Sequence, residues 1–331
     1  MRNPLKSKFL KFNFWILLVS IILLCAQVAY SAEKRSYLRY KTVYGQKYVY
    51  ISDLAKFYGM TLVKKNNGCE IGNKWYSFKF EYEKRAGYFN GVKIHYLFAA
   101  TFAPPEPLIS EKDYDNVITP LIKGNSILPR KNIRNIVLDP GHGGKDHGAQ
   151  TKYLEKDINL AIAKALRDEL RRRGYNVFMT RDSDYLLDLE KRPEKAAFYK
   201  ADLFISIHCN SASSRYIRGV ETYLLTPEGS PSTSDKKKSA SFQRGNAYNK
   251  QNVLLAYLIQ RCILGNTGTD DRGVRHARFA VLKTAPCPAV LVECGFLTNE
   301  WEMKNLAWSN YQKGIAEGIA EGIAYYSRSL K

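Results

Sequence analysis

Beyond residue 133 the chain alternates short β-branched apolar runs with amphipathic stretches, and this alternation restricts the fold more than any other feature. Residues 136–138, 175–180, 203–207, 219–225 and 289–292 read as strands. Between them, residues 157–173 place Ile158, Ala161, Ile162, Ala165, Leu166 and Leu170 at helical spacing, and Gly174 ends the run. Residues 190–200, 252–264 and 311–327 read as further helices. Strands and helices in regular succession predict an α/β fold over residues 133–331: a layered, largely parallel sheet flanked by helices.

The segment before it has a different grain. Residues 36–122 are rich in Tyr and Phe and broken into short alternating runs, with Asn66-Asn67-Gly68 and Asn90-Gly91 as hairpin turns. Residues 52–58 form the one helical stretch, which Ser52 can cap and Gly59 ends. This predicts a small β-rich α+β domain. Residues 103–107 (APPEP) read as a linker or rigid turn, residues 116–122 as a last strand, and residues 123–132 as the linker to the second domain.

Charge and the first 32 residues bound the setting. With 51 Lys+Arg against 31 Asp+Glu the chain carries +20, which favours an anionic partner: nucleic acid, anionic lipid or an acidic wall polymer. Arg2, Lys6, Lys8 and Lys11 precede an apolar run at 14–29, too short to span a membrane comfortably, and Ala29, Ser31 and Ala32 follow. Residues 1–32 therefore read as a secretory signal peptide, with an uncleaved anchor as the alternative. An exported chain, in the periplasm or the cell wall, is not a nucleic-acid protein, and after cleavage no membrane span is expected. The six cysteines match neither a zinc knuckle nor a disulfide scaffold; Cys25 leaves with the leader, and the other five are expected as free buried thiols. Residues 226–249, rich in Ser, Lys and Gly, are expected to form a mobile surface insertion.

Chemistry is concentrated at strand ends. His142 follows the first strand of the second domain within Asp139-Pro140-Gly141-His142-Gly143-Gly144, and His208 follows the apolar strand ending at Ile207. In a parallel sheet both strand ends lie at one edge. Two imidazoles at one rim begin a zinc site, which needs a third protein ligand and an open position for water. Glu155, just ahead of the long helix, is the natural third ligand, although an acid there also suits a helix N-terminus. Glu293 ends another apolar strand, where a carboxylate is costly unless paired or functional; it can serve as general base. Cys209 and Cys294 adjoin these residues but point to the opposite sheet face.

The motifs LDPGHGGKDHGA, YLEKDINLAIAKALRDEL, GYNVFMTRDSD, ADLFISIHCNSA, GVETYLL, DRGVRHARFAVLK and PAVLVECGFLTNEWE occur in order over residues 135–326. In these the chain resembles the zinc-dependent N-acetylmuramoyl-L-alanine amidases of bacterial cell-wall turnover. The resemblance implies that His142, Glu155 and His208 bind one zinc and that Glu293 is the catalytic acid/base. It also implies peptidoglycan as partner, with hydrolysis of the bond between the lactyl group of N-acetylmuramic acid and L-alanine of the stem peptide. Other anionic envelope polymers, and a protein activator, are further possible partners. His147 stands where the family motif usually has proline, and His276 is not a family ligand. Arg181 and Arg192 match family arginines, in either an ion-pair or a substrate-contact role. Regulated members carry an inhibitory helix, for which residues 226–249 are the candidate place. The alternatives are a zinc carboxypeptidase acting on wall peptides and a non-catalytic wall-binding protein.

In the first domain, YVYISDLA with Gly59, and Phe89-Asn90-Gly91-Val92, resemble the copper amine oxidase N-terminal-like (stalk) domain. No copper is implied, since His95 is the domain's single histidine. The resemblance implies spacing, wall attachment or a purely structural role.

Overall fold

The computed structural model describes residues 37–235, 237 and 241–331. The signal peptide expected at residues 1–32, and Cys25 within it, lie outside the described residues. No helix among the described residues is long and apolar enough to cross a membrane.

The first part opens with the hairpin β1 (Tyr40–Val43) and β2 (Gln46–Tyr50), followed by α1 (Ile51–Phe57), which buries Ile51, Leu54 and Ala55. Ser52 does not cap α1; its hydroxyl engages Glu106, while Arg39 grips Asp53. Strands β3 (Thr61–Lys65), β4 (Gly68–Gly72), β5 (Ser77–Glu81), β6 (Ala86–Phe89) and β7 (Val92–His95) form an antiparallel meander. Asn90 and Gly91 take φ of 45° and 83°, as a two-residue turn with the twist of its strands requires. Strands β8 (Thr101–Ala103) and β9 (Glu106–Ser110) pair across Pro104-Pro105, so that stretch is a hairpin turn and not a linker.

The strand expected over residues 116–122 is helical. Ser110 accepts the Asp113 N–H to start the turn, Pro120 stands in the first turn of α2 (Thr119–Ile127), and Val117, Ile118 and Leu121 bury one side. Their three- and four-residue spacing is the helical signal that the run of β-branched residues masks.

The second part runs β10 (Asn135–Pro140), α3 (Glu155–Arg172), β11 (Asn176–Met179), α4 (Lys191–Phe198), β12 (Leu203–Asn210), β13 (Val220–Leu225), α5 (Asn249–Thr267), β14 (Asp271–Ala277), α6 (Ala280–Lys283), β15 (Ala289–Phe296), α7 (Glu300–Leu306) and α8 (Ser309–Ser329). Strand order is β11-β10-β12-β15-β13-β14, with β13 antiparallel to β15 and the other pairs parallel, giving the layered α/β fold that the alternation predicts. Strand β14, sequence DRGVRHA, escapes sequence reasoning because charge and glycine hide its alternation. Helices α3, α5 and α8 cover one face over Leu138, Ile205, Ile207, Val290 and Val292; α4 and α6 cover the other over Val137, Phe204 and Leu291.

The sheet does not stop at β14. Val274 pairs in parallel with Ile94 of β7, and the ladder continues through β6, β5, β4 and β3, making one sheet of 11 strands. The insertion after β13 is packed, not loose, in its described residues. Thr233 N–H donates to the His276 carbonyl, Arg85 donates to the carbonyls of Pro231 and Ser232, and residues 244–248 form a 3-10 turn. No inhibitory helix lies there among the described residues. The five described cysteines are buried with free thiols.

Helix α8 reads IAEGIAEGIA, and its glycines let it press on α5. A Cβ on Gly318 would stand 2.7 Å from Ile263 Cα, and one on Gly322 2.6 Å from Ile259 Cα. Alanine would ordinarily stabilise a helix interior by about 1 kcal/mol over glycine. Here Gly322→Ala is expected to destabilise by about 1–3 kcal/mol through overpacking, measured by urea unfolding.

Candidate active site

A buried ion pair builds the loop that carries His142. Asp139, at the end of β10, is wholly buried; Arg192 of α4 donates to its Oδ1 at 2.9 Å, Thr180 to Oδ1 at 2.6 Å and Ser206 to Oδ2 at 2.8 Å. Arg192 also donates to the carbonyls of Pro140 (2.8 Å) and His142 (2.9 Å). Arg181 donates to the carbonyls of Pro140, Gly141 and Lys156. Both arginines therefore hold loop backbone, and Arg192 also lines the cavity beside His142. Held this way, His142 adopts φ of 63°, a left-handed conformation that is uncommon for a residue with a Cβ and typical of functional loops.

Three side chains converge there. Glu155 is the first residue of α3, and His208 stands near the end of β12. Glu155 Oε1 lies 3.1 Å from His142 Nε2 and 3.0 Å from His208 Nδ1. Ligand atoms of His142, Glu155 and His208 all fall within 4.8 Å of one another. Glycines make the room: a Cβ on Gly141 would sit 2.1 Å from His208 Cε1, and one on Gly148 2.4 Å from Glu155 Oε2. The carboxylate is further steadied by N–H groups of Ala149 and Cys209 and by Asn159 Nδ2.

Glu293 sits beside this group by register. It faces His208 across the β12–β15 ladder and Glu221 across β15–β13. It lines a cavity of about 550 Å³ together with His142, His208, Arg192, Leu187 and Phe279. Its Oε2 has no hydrogen-bond partner. Burial, then the neighbouring charges of Glu155 and Glu221, push its pKa well above the usual carboxylate range. Glu155 goes the other way. Burial would raise its pKa, but the hydrogen bonds from His142 and His208 hold it far below its ordinary value. Burial would lower the His142 pKa; Glu155 and Asp146 outweigh that and raise it. Two acids in one site are thus driven apart, the pattern of a site with separate charge-holding and proton-moving groups.

Two further groups were not singled out from sequence. Asp146 Oδ2 holds His142 Nδ1 at 2.8 Å, which turns Nε2 toward Glu155; its position four residues after His142, within one glycine-rich loop, was the available signal. Glu221 is buried in β13 and accepts from Arg272 Nε (2.7 Å), Tyr223 Oη (2.8 Å), Asn210 Nδ2 (3.1 Å) and Arg275. An acid inside the apolar run VETYLL could have flagged it. His147 and His276 lie outside the converging group; His276 is fully buried and its pKa is pushed down to about 3 by burial and by the charge of Arg85.

This is an α/β protein with two imidazoles and a carboxylate gathered at the carboxyl edge of its sheet, a donor set suited to one divalent cation. Residues 136–325 match the Amidase_3 family, N-acetylmuramoyl-L-alanine amidase, and the chain belongs to that family. It is 37% identical over 194 residues to N-acetylmuramoyl-L-alanine amidase LytC of Bacillus subtilis, covering 58% of this chain and 35% of that one. It is 35% identical over 217 residues to amidase AmiC of Escherichia coli, covering 58% of this chain and 52% of the other. The chain thus spans about half or less of the length of these two curated relatives. Among solved structures, amidase AmiC2 of Nostoc punctiforme is 34% identical with a TM-score of 0.50, over 59% of this chain and 97% of its own.

Because Asp139 and Arg192 are both buried, removing one strands the other's charge. Arg192→Met is expected to destabilise by about 3–5 kcal/mol in denaturant titration. Lys191→Ala, which removes an exposed pair with Glu194, is expected to leave the unfolding midpoint unchanged in the same titration.

Proposed function

We propose that the chain is an exported, zinc-dependent N-acetylmuramoyl-L-alanine amidase that cuts the lactyl–L-alanine amide of peptidoglycan. The observation that carries this reading is the gathering of His142, Glu155 and His208 around one point, with Glu293 in the adjacent register, inside the segment matched by the family. Two neutral imidazoles and one carboxylate are the donor set of a catalytic zinc site, and three ligands leave an open position. The unpartnered Oε2 of Glu293 and the glycine-lined space around Glu155 fit such an occupant. Asp146 would act as the carboxylate that orients a ligating histidine.

In this reading His142, Glu155 and His208 hold the zinc, which supplies Lewis-acid polarisation of the amide carbonyl and of water. Glu293 accepts the proton of the attacking water at a carboxylate oxygen and returns it to the leaving L-alanine nitrogen. Its raised pKa suits a group that must hold that proton between the two transfers. Leu187 and Phe279 supply apolar walls to the cavity in which the scissile bond would lie. The first part of the chain acts as a stalk-like unit fused to the catalytic part through the β7–β14 pair, with α2 (Thr119–Ile127) occupying part of the stretch expected as a linker at 123–132; the signal at residues 1–32 directs export to periplasm or wall.

The test is digestion of purified peptidoglycan by the mature protein. Intact stem peptides with a new N-terminal alanine are expected by mass spectrometry, and single amino acids would indicate a carboxypeptidase instead. Glu293→Gln should retain zinc by elemental analysis yet lose about 100- to 10,000-fold in turnover. A chelator should abolish release, and zinc should restore it. Stem-peptide release that survives both treatments sinks the mechanism. Asp146→Asn should weaken zinc affinity about 10- to 100-fold in competition titration.

A further inference from the structure

The fused sheet places the candidate site and a second cavity on one continuous face. From His208, cross-strand partners run to Glu293, to Glu221 and to Gly273. Gly273 lies against Lys93, whose carbonyl would be 2.7 Å from a Cβ on that glycine. From Lys93 the pairs continue to Tyr88, Lys79 and Glu70. Partners across a ladder point to the same side, so these residues share the face that carries His208 and Glu293. Among the described residues, helices cover this face over the catalytic strands, through α4 and α6. Over β4–β6 it is open: Lys79 is 55% exposed.

On that open area lies a depression of about 560 Å³, larger than a single side chain needs, lined by Lys65, Glu70, Lys79, Glu81, Lys84 and Tyr88 among others. Five ladder steps separate Glu293 from Lys79, or about 24 Å at the usual strand spacing. The charges in the depression are of both signs and nearly balanced, in a chain that is +20 as a whole. Lys65 and Lys79 reach Glu70 at 2.5 and 3.7 Å, and Lys84 reaches Glu81 at 2.7 Å. Such exposed pairs stabilise little and exchange readily for charges on a ligand. A polyanion would be met by lysines alone. A lining of alternating lysine and glutamate beside an aromatic ring complements a short zwitterionic peptide, which carries carboxylates and amines together.

We propose that this outer face of β4–β6 is a second substrate subsite, which binds a neighbouring stem peptide of the same polymer while another is cut at Glu293. The proposal rests on the amidase reading for the identity of the polymer. It makes the first part of the chain an extension of the cleft, aligned by the β7–β14 junction, and it predicts a preference for polymer over single units.

The experiment compares wild type with the double variant Tyr88→Ala/Lys79→Glu, neither position being in the catalytic group. On polymeric peptidoglycan the variant should show an apparent KM raised about fivefold with kcat unchanged, the loss of about 1 kcal/mol of contact. On a single disaccharide-peptide unit it should match wild type. An equal change on both substrates, or none on either, overturns the subsite. Separately, both proteins are sedimented in a Glu293→Gln background with intact peptidoglycan and with glycan stripped of its peptides. Wild type should be retained by the intact polymer alone, and the double variant about fivefold less. Equal retention on bare glycan, or equal retention of the two proteins, overturns it. Failure of the amidase reading looks different: wild type would release no stem peptide from either substrate, and the sedimentation result would still decide the subsite.

Discussion

The candidate site depends on one buried ion pair. Asp139 ends β10 in the core, and Arg192 reaches it from α4 while also holding the carbonyls of Pro140 and His142. A buried pair is rarely a gain in stability over apolar packing, because both charges lose their water. Its value here is placement. Thr180 donates to Oδ1 and Ser206 to Oδ2 of Asp139, so both of its oxygens are anchored, and the loop carrying His142 inherits that rigidity. The uncommon backbone of His142 is held by Arg192 at its own carbonyl and by Arg181 and Arg192 at the carbonyls of Pro140 and Gly141.

From that fixed loop the electrostatics of the site follow. Glu155 is surrounded by donors: two imidazoles, two backbone N–H groups and an amide. It is therefore driven to the charged form. Glu293, a strand away, has His208 on one side and the buried Glu221 on the other, and faces a cavity with no donor on one oxygen. Burial disfavours its charge, whereas Glu155, also buried, is held charged by the donors around it. Glu221 is paired with Arg272 and Arg275 and faces Glu293 across the β13–β15 ladder.

Much of this was legible in the chain. The strand–helix alternation, the hairpin turns at Asn66-Asn67 and Asn90-Gly91, and the placing of His142 and His208 near strand ends come from local patterns with periods of two or 3.6 residues; Glu293, expected to end its strand, lies inside β15 (Ala289–Phe296). What was misread was also local. Residues 116–122 carry β-branched side chains at helical spacing, and tertiary burial of Val117, Ile118 and Leu121 decided for helix. Strand β14 was hidden by its own arginines, whose charges are paired with Glu221 on a neighbouring strand.

The sequence by itself determined which residues stand at strand ends, because hydrophobic periodicity and turn chemistry act between near neighbours. Only the tertiary structure decided how those ends meet. The sharing of Glu155 Oε1 by two histidines, the seat of Glu293 between His208 and Glu221, and the joining of two sheets through Val274 and Ile94 are matters of register between strands far apart in the chain. Register is set by the packing of whole faces, a sum over many weak contacts that no local motif encodes.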